Sequence, residues 1–277
     1  MPGQLPQPGQ VFLDHVAHFV PDIEAAAAAF EACGFRLTPF TAQVNRAEGG
    51  IVPAGTGNRC AMLSAGYVEI LAKTSDTPLA RQLEARLGRH VGLHLTAFSS
   101  ADPAAERERL AAAGFPVLPL VDMRRPVGSE EAHFTIARIA EDAMPEGRMQ
   151  FLTHHTPHLV WREGYLEHPS GAQALLAVWI AAADPAEAAA RFARFTGRPA
   201  RREHGRMTIG LDRGALFFAT PDFLEIAFGI MPGPPTPYLA AYELEAGSLP
   251  AAGRPIAGGA ALTLPPALGG TILFRPR

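Results

Sequence analysis

The chain has 277 residues, 48% of them hydrophobic and 18% charged, with a net charge of −3. That is a globular composition with room for about two domains, and it lacks the basic balance that nucleic-acid binding requires. No apolar run approaches the ~20 residues of a membrane helix. Met1, Pro2, Gly3 and Gln4 carry no charged n-region, and no apolar core follows them, so no secretory leader is expected. Two cysteines, Cys33 and Cys60, make neither a disulfide framework nor a CxxC site. A cytoplasmic location is expected.

A repeat organises the chain. The first strand, residues 12–20, leads to Asp22, an Ala-rich helical stretch, and Gly34. Strands follow at 36–40, 59–65 and 67–71, with a Gly-rich polar loop expected over 41–58. The second unit runs from a strand at 91–98 through Asp102, a helix and Gly114 to strands at 117–121, 133–139 and 148–153. The third runs from a strand at 175–182 through Asp184, a helix and Gly197 to strands at 200–204, 207–211, 215–219 and 224–228. Asp and Gly are 12, 12 and 13 residues apart, and successive Asp residues 80 and 82 apart. Asp suits a helix N-cap and Gly the left-handed residue that ends a helix. A fourth unit begins near residue 238 but lacks a helical stretch, so it reads as degenerate.

These βαβββ units imply an α+β fold in which paired units form two half-barrel domains. Their expected bounds are 11–160 and 171–277, joined by a Pro- and Gly-punctuated linker.

Chemistry is expected where polar residues interrupt apolar strands. Alternation places His15 with Ala17 and Phe19, and Tyr67 with Glu69 and Leu71. In unit two, Gly92, His94, Thr96 and Phe98 share a face, as do Arg148, Gln150, Leu152 and His154. Matching His15-Val16-Ala17-His18-Phe19 to His94-Leu95-Thr96-Ala97-Phe98 needs one extra residue before Asp102. It sets His15, Glu69, His94 and Gln150 at equivalent corners. Imidazole, carboxylate and amide oxygen suit a borderline divalent metal such as Zn, Ni, Mn or Fe. His18 faces away from His15. In unit three, Glu225 matches Glu69, but Ala177 stands where a histidine is needed.

The segments 13–22, 55–58 and 66–71 together resemble the glyoxalase-like branch of the vicinal oxygen chelate superfamily, a soluble, bacterial-type group. The resemblance is best over residues 12–170. It implies metal ligands on the first and last strands of two paired units, hence His15, Glu69, His94 and Gln150. Many members have Glu as ligand and base where this chain has Gln150. The implied activity is a metal-dependent lyase or isomerase that holds vicinal oxygens and passes through an enediolate, with Glu69 or His154 moving the proton. An Fe(II) dioxygenase and a metal-free sequestering protein of the bleomycin-resistance kind are the alternatives. Phe40, Gln43, Asn58, Arg125 and Trp161 are placed near a small-molecule substrate by loop position. Four units can satisfy internally the pairing that shorter members achieve as dimers, so both a monomer and a homodimer fit.

Overall fold

The structure is a computed structural model that describes residues 4–47 and 50–277. The first unit is β1 (Phe12–Phe19), α1 (Ile23–Ala32), β2 (Thr41–Ala47), β3 (Gly50–Met62) and β4 (Tyr67–Lys73). A helix, α2 (Pro78–Leu87), leads to the second: β5 (Gly92–Ser99), α3 (Pro103–Ala112), β6 (Val121–Val127), β7 (Glu130–Arg138) and β8 (Arg148–His154). These eight strands close into a barrel in the order β1-β4-β3-β2-β6-β7-β8-β5. Within each unit the first and last strands pair in parallel, His15 opposite Tyr67 and Leu95 opposite Arg148. The two first strands, β1 and β5, pair antiparallel.

After a short helix, α4 (Pro157–Val160), the third unit follows as β9 (Ala172–Ala181), α5 (Pro185–Thr196), β10 (Ala200–Glu203), β11 (Arg206–Gly210) and β12 (Ala215–Ala219). Next come α6 (Pro221–Phe228) and the helix-less fourth unit, β13 (Tyr238–Ala246), β14 (Arg254–Ile256), β15 (Gly259–Thr263) and β16 (Thr271–Pro276). These strands form a second eight-stranded sheet with β9 and β13 paired at its centre. The fold is α+β, built from βαβββ units in two half-barrel domains.

The Asp repeat works as its chemistry suggests. Asp22, Asp102 and Asp184 each accept two helix-opening backbone N–H bonds at 2.9–3.1 Å. Each such cap stabilises its helix by about 1 kcal/mol. Gly197 closes α5 at φ +68°.

Four strand expectations need correction. Residues 36–40 are not a strand, and the strand expected at 117–121 begins only at Val121 and runs to Val127, where it pairs with β7, leaving Val117 a single bridge to Ile139. The expected loop at 41–58 is instead the β2–β3 hairpin, apart from residues 48–49, which lie outside the described residues. Its glycines weaken local strand propensity, but pairing with β4 and β6 closes the barrel and overrides it. Residues 224–228 are helical. Thr220 caps α6, Pro221 opens it, and Gly229 closes it in the left-handed conformation. Five mostly apolar residues could not distinguish strand from helix by periodicity alone.

Three apolar clusters follow from this layout. One lies between the outer faces of the sheets and the helices, where Phe195 of α5 packs on Phe98, Phe115 and Phe151. One lines the barrel interior, with Leu83 of α2 and Trp161 closing on it. The third lies on the inner face of the second sheet, where Leu224 and Phe228 of α6 pack against Trp179. The halves also meet at the start of β1: Leu13 N–H donates to the Arg213 carbonyl, and the Arg213 guanidinium donates to the Leu13 carbonyl.

Candidate active site in the barrel

The barrel encloses a cavity of about 40 Å³. Inward positions of β1, β3, β4, β7 and β8 supply His15, Asn58, Glu69, Arg138, Arg148 and Gln150, and β2 and β6 add Gln43 and Arg125. The remaining wall is apolar, including Leu71, Leu95, Met123, Phe134, Ile136 and Leu152. The cavity thus has a charged patch in an apolar shell, the usual make-up of a small-molecule site.

His15 is 3% exposed and stacks on the Tyr67 ring, centroids 4.3 Å apart. A break in the β1–β5 register between Leu13 and His15 interrupts normal alternation at Asp14. Asp14 is consequently buried behind His15 instead of pointing away. Its carboxylate accepts from His15 Nδ1 at 2.7 Å and from His154 Nε2 at 3.0 Å. Burial would raise the Asp14 pKa, but the His154 charge and the two imidazole hydrogen bonds outweigh it and hold the carboxyl well below its usual range. Asp14 is therefore an anion that fixes the His15 proton on Nδ1. The Nε2 lone pair is left on the cavity side, 3.9 Å from Glu69 Oε2.

Glu69 is held by amides. Asn58 Nδ2 donates to its Oε1 at 2.5 Å and Gln43 Nε2 at 3.3 Å, while Thr56 Oγ1 donates to Gln43 at 2.6 Å. On the opposite wall, Arg148 Nε donates to Glu141 at 2.7 Å, so its charge is compensated. Arg138 donates to Gln150 Oε1 at 3.3 Å and has no carboxylate within ion-pair distance among the described residues. Burial and the nearby Arg148 push its guanidinium pKa down to about 10, still fully cationic at neutral pH. Burial and Glu69 push the Cys60 thiol up to about 12, which rules it out as a thiolate nucleophile.

The expected metal corners do not all meet. His15, Glu69 and Gln150 line the cavity, whereas His94 does not. A second register break skips His94, pairing Ala17 with Leu95 and His18 with Leu93. His94 is buried against Phe19 and His90, donates from Nε2 to the His90 carbonyl at 2.8 Å, and has its pKa pushed down to about 3, chiefly by burial. The true counterpart of His15 is Leu95, each lying seven residues before its helix-capping Asp. Leu95 offers no lone pair, Arg138 occupies the Gln150 oxygen, and two guanidiniums without carboxylate partners face the cavity. Among the described residues no three His, Cys, Asp or Glu side chains cluster as a metal site. This donor set does not fit the family's four-cornered metal centre.

Of the other expected residues, Gln43, Asn58 and Arg125 line the cavity. His154 lies behind Asp14, and Trp161 is buried on His154 and Tyr67. Phe40 sits in an adjoining outer recess. Glu225, matched to Glu69 by sequence, is exposed on α6. Sequence reasoning missed Asp14 and Arg138. Arg138 was detectable as a charge on the apolar stripe Phe134–Ile136 of β7. Asp14 was not, because strand alternation pointed it the other way.

Residues 13–196 match the glyoxalase-like domain family. The chain belongs to that family. It lies within the vicinal oxygen chelate superfamily that its sequence resembles. Comparison with curated protein sequences yields no match. Among solved structures, a hypothetical protein from Staphylococcus aureus is 10% identical with a TM-score of 0.68, covering 96% of this chain and 99% of its own. A 4-hydroxymandelate synthase mutant from Streptomyces coelicolor is 15% identical with a TM-score of 0.51, covering 87% and 72%. A fusion protein of a xylose isomerase-like TIM barrel and a 4-hydroxyphenylpyruvate dioxygenase is 14% identical with a TM-score of 0.53, covering 89% and 39%. At these identities the likeness is one of fold alone. No helix among the described residues is long and apolar enough to cross a membrane.

Proposed function

We propose that the barrel binds a small organic anion and moves a proton on the carbon next to its carbonyl, without a resident metal. The observation that carries this reading is the pairing of an Asp14-supported imidazole, His15, with the carboxylate-free guanidinium of Arg138 across one apolar cavity. His15 Nε2 takes the proton, and the C–H electron pair moves into an enolate. The guanidinium of Arg138 stabilises the charge that develops on the enolate oxygen. The His15 imidazolium, held by Asp14, then returns the proton. Glu69, fixed by Asn58 and Gln43 and 3.9 Å from His15 Nε2, stabilises that imidazolium while it carries the proton. The reaction class is the isomerase or lyase type expected from sequence, with a fixed organic cation in the role of the metal.

The metal-dependent version, with Zn, Ni, Mn or Fe on His15, Glu69, His94 and Gln150, has support from the family alone. The Fe(II) dioxygenase version needs the same missing histidine corner.

The test is hydrogen–deuterium exchange in D₂O, followed by NMR, on pyruvate and 2-oxobutyrate with chelator-treated protein. The expected result is exchange at the carbon beside the keto group, undiminished by chelator and lost in His15→Gln. Exchange that depends on added divalent metal overturns the reading in favour of the metal enzyme. Tight binding without exchange overturns it in favour of a sequestering protein.

A further inference from the structure

A second recess of about 230 Å³ adjoins the cavity. Its walls include Thr38, Phe40, Arg125, Leu159, Val160 and Arg162. Arg125 lines both spaces. They also abut at Thr38, whose hydroxyl accepts from the backbone N–H of the cavity residue Cys60 at 3.0 Å. None of the residues lining the recess is acidic.

Its two cations are held but not neutralised. The Arg125 guanidinium lies over the Phe134 ring, 5.6 Å from the centroid, and its Nε is buried without an acceptor. Arg162 lies over the Tyr165 ring at 4.9 Å. Neither guanidinium has a carboxylate within ion-pair distance among the described residues. A buried donor without a partner carries a desolvation penalty that an incoming acceptor removes. Guanidinium forks favour planar carboxylates and phosphates, and two in one recess attract anions. In the same lining, Phe40, 41% exposed, and Leu159 and Val160 offer apolar surface for a chain or ring.

We infer that the recess is a subsite for a second anionic group, so the natural ligand is an elongated dianion. Its reacting end lies in the barrel beside His15 and Arg138, and its far carboxylate or phosphate lies between Arg125 and Arg162. This rests on the anion-binding reading of the inner cavity.

The experiment is calorimetric titration of the wild-type protein with α,ω-dicarboxylates of four to eight carbons and with monocarboxylates of matched length. A parallel series carries a terminal phosphonate. The expected result is that one chain length binds at least about tenfold tighter as dianion than as monoanion, the gain of one charge-assisted contact. Arg162→Gln brings that ratio close to one, and Arg162→Lys restores part of it. Arg162 is exposed, so these variants are expected to fold. The carboxylate and phosphonate series show which terminal group is preferred. Equal affinity of dianions and monoanions at every length, or a ratio that survives Arg162→Gln, overturns the second subsite while leaving the inner site standing. If neither series binds, the inner anion site fails and the subsite falls with it.

Discussion

The two sheets present inner faces of opposite character. The barrel keeps a cavity with His15, Glu69 and Arg138 on its wall. The second sheet fills the corresponding space with α6, whose Leu224 and Phe228 pack on Trp179, and Ala177 stands at the position equivalent to His15. On that second face Glu243 accepts from Trp179 Nε1 at 2.8 Å and from Arg275 at 2.6 Å, while Arg206 lies over the Trp179 and Phe217 rings with its Nε buried and unpartnered. One repeat has therefore been used in two ways, once to hold open a charged space and once to make a core. A buried charge left without a carboxylate partner, as at Arg138, is costly in a region that only has to be stable. What separates the two faces is space: Arg138 borders an open cavity, whereas the second face is covered by α6 packed on Trp179.

The sharpest way to break this comparison is at the barrel. His15→Gln is expected to lower the deuterium exchange described above by roughly 10²–10⁴-fold, the scale of a lost general base. Urea titration should show that the protein remains folded. Phe228→Ala, on the other face, is expected to cost about 3–5 kcal/mol of stability, since it empties a packed aromatic site. Its exchange rate per folded molecule should stay at the wild-type value; a loss there would mean that the second face takes part in the chemistry.

The junction between the halves gives an acid-sensitivity test. His18 bonds the Leu268 carbonyl and Tyr242 of the second half, and burial pushes its pKa down to about 4. The unfolded chain, with a histidine pKa near 6.5, binds this proton earlier than the folded one. Stability is therefore lost as pH falls from about 6.5 towards 4, by on the order of 3 kcal/mol from this residue. Urea midpoints across that range should decline, and His18→Gln should flatten the decline. The smallest effect is expected at Glu225→Ala. Its side chain is exposed, and both stability and exchange should stay within about 0.5 kcal/mol of wild type.

The architecture was legible because its signals are local. Asp22, Asp102 and Asp184 open helices by bonding their own backbones, and the chain repeats that chemistry at nearly constant spacing. The β2–β3 hairpin was hidden because its stability comes from barrel closure, a non-local property. At the site, parity placed His15 and Glu69 on one wall, and loop position suggested Gln43, Asn58 and Arg125. It failed at His94 and Asp14 for one shared reason: each sits at an interruption in the β1–β5 pairing, where side-chain alternation skips a beat. Counting back from the helix caps, rather than matching histidine to histidine, would have pointed to Leu95. The inward parity of β7 would have pointed to Arg138.

The bond pair between Leu13 and Arg213 gives the second half an influence on the first that its sealed inner face does not suggest. Leu13 immediately precedes the irregular step that turns the Asp14 carboxylate towards His15, and Arg213, reaching across from the second sheet, clasps its backbone on both sides. The later half of the chain thus acts as a clamp on β1. A fragment ending near residue 165 would keep every side chain of the inner cavity and still lose the brace on the strand that carries Asp14 and His15. The clasp ties the placement of Asp14 and His15 to a residue 200 positions beyond Leu13 in the chain.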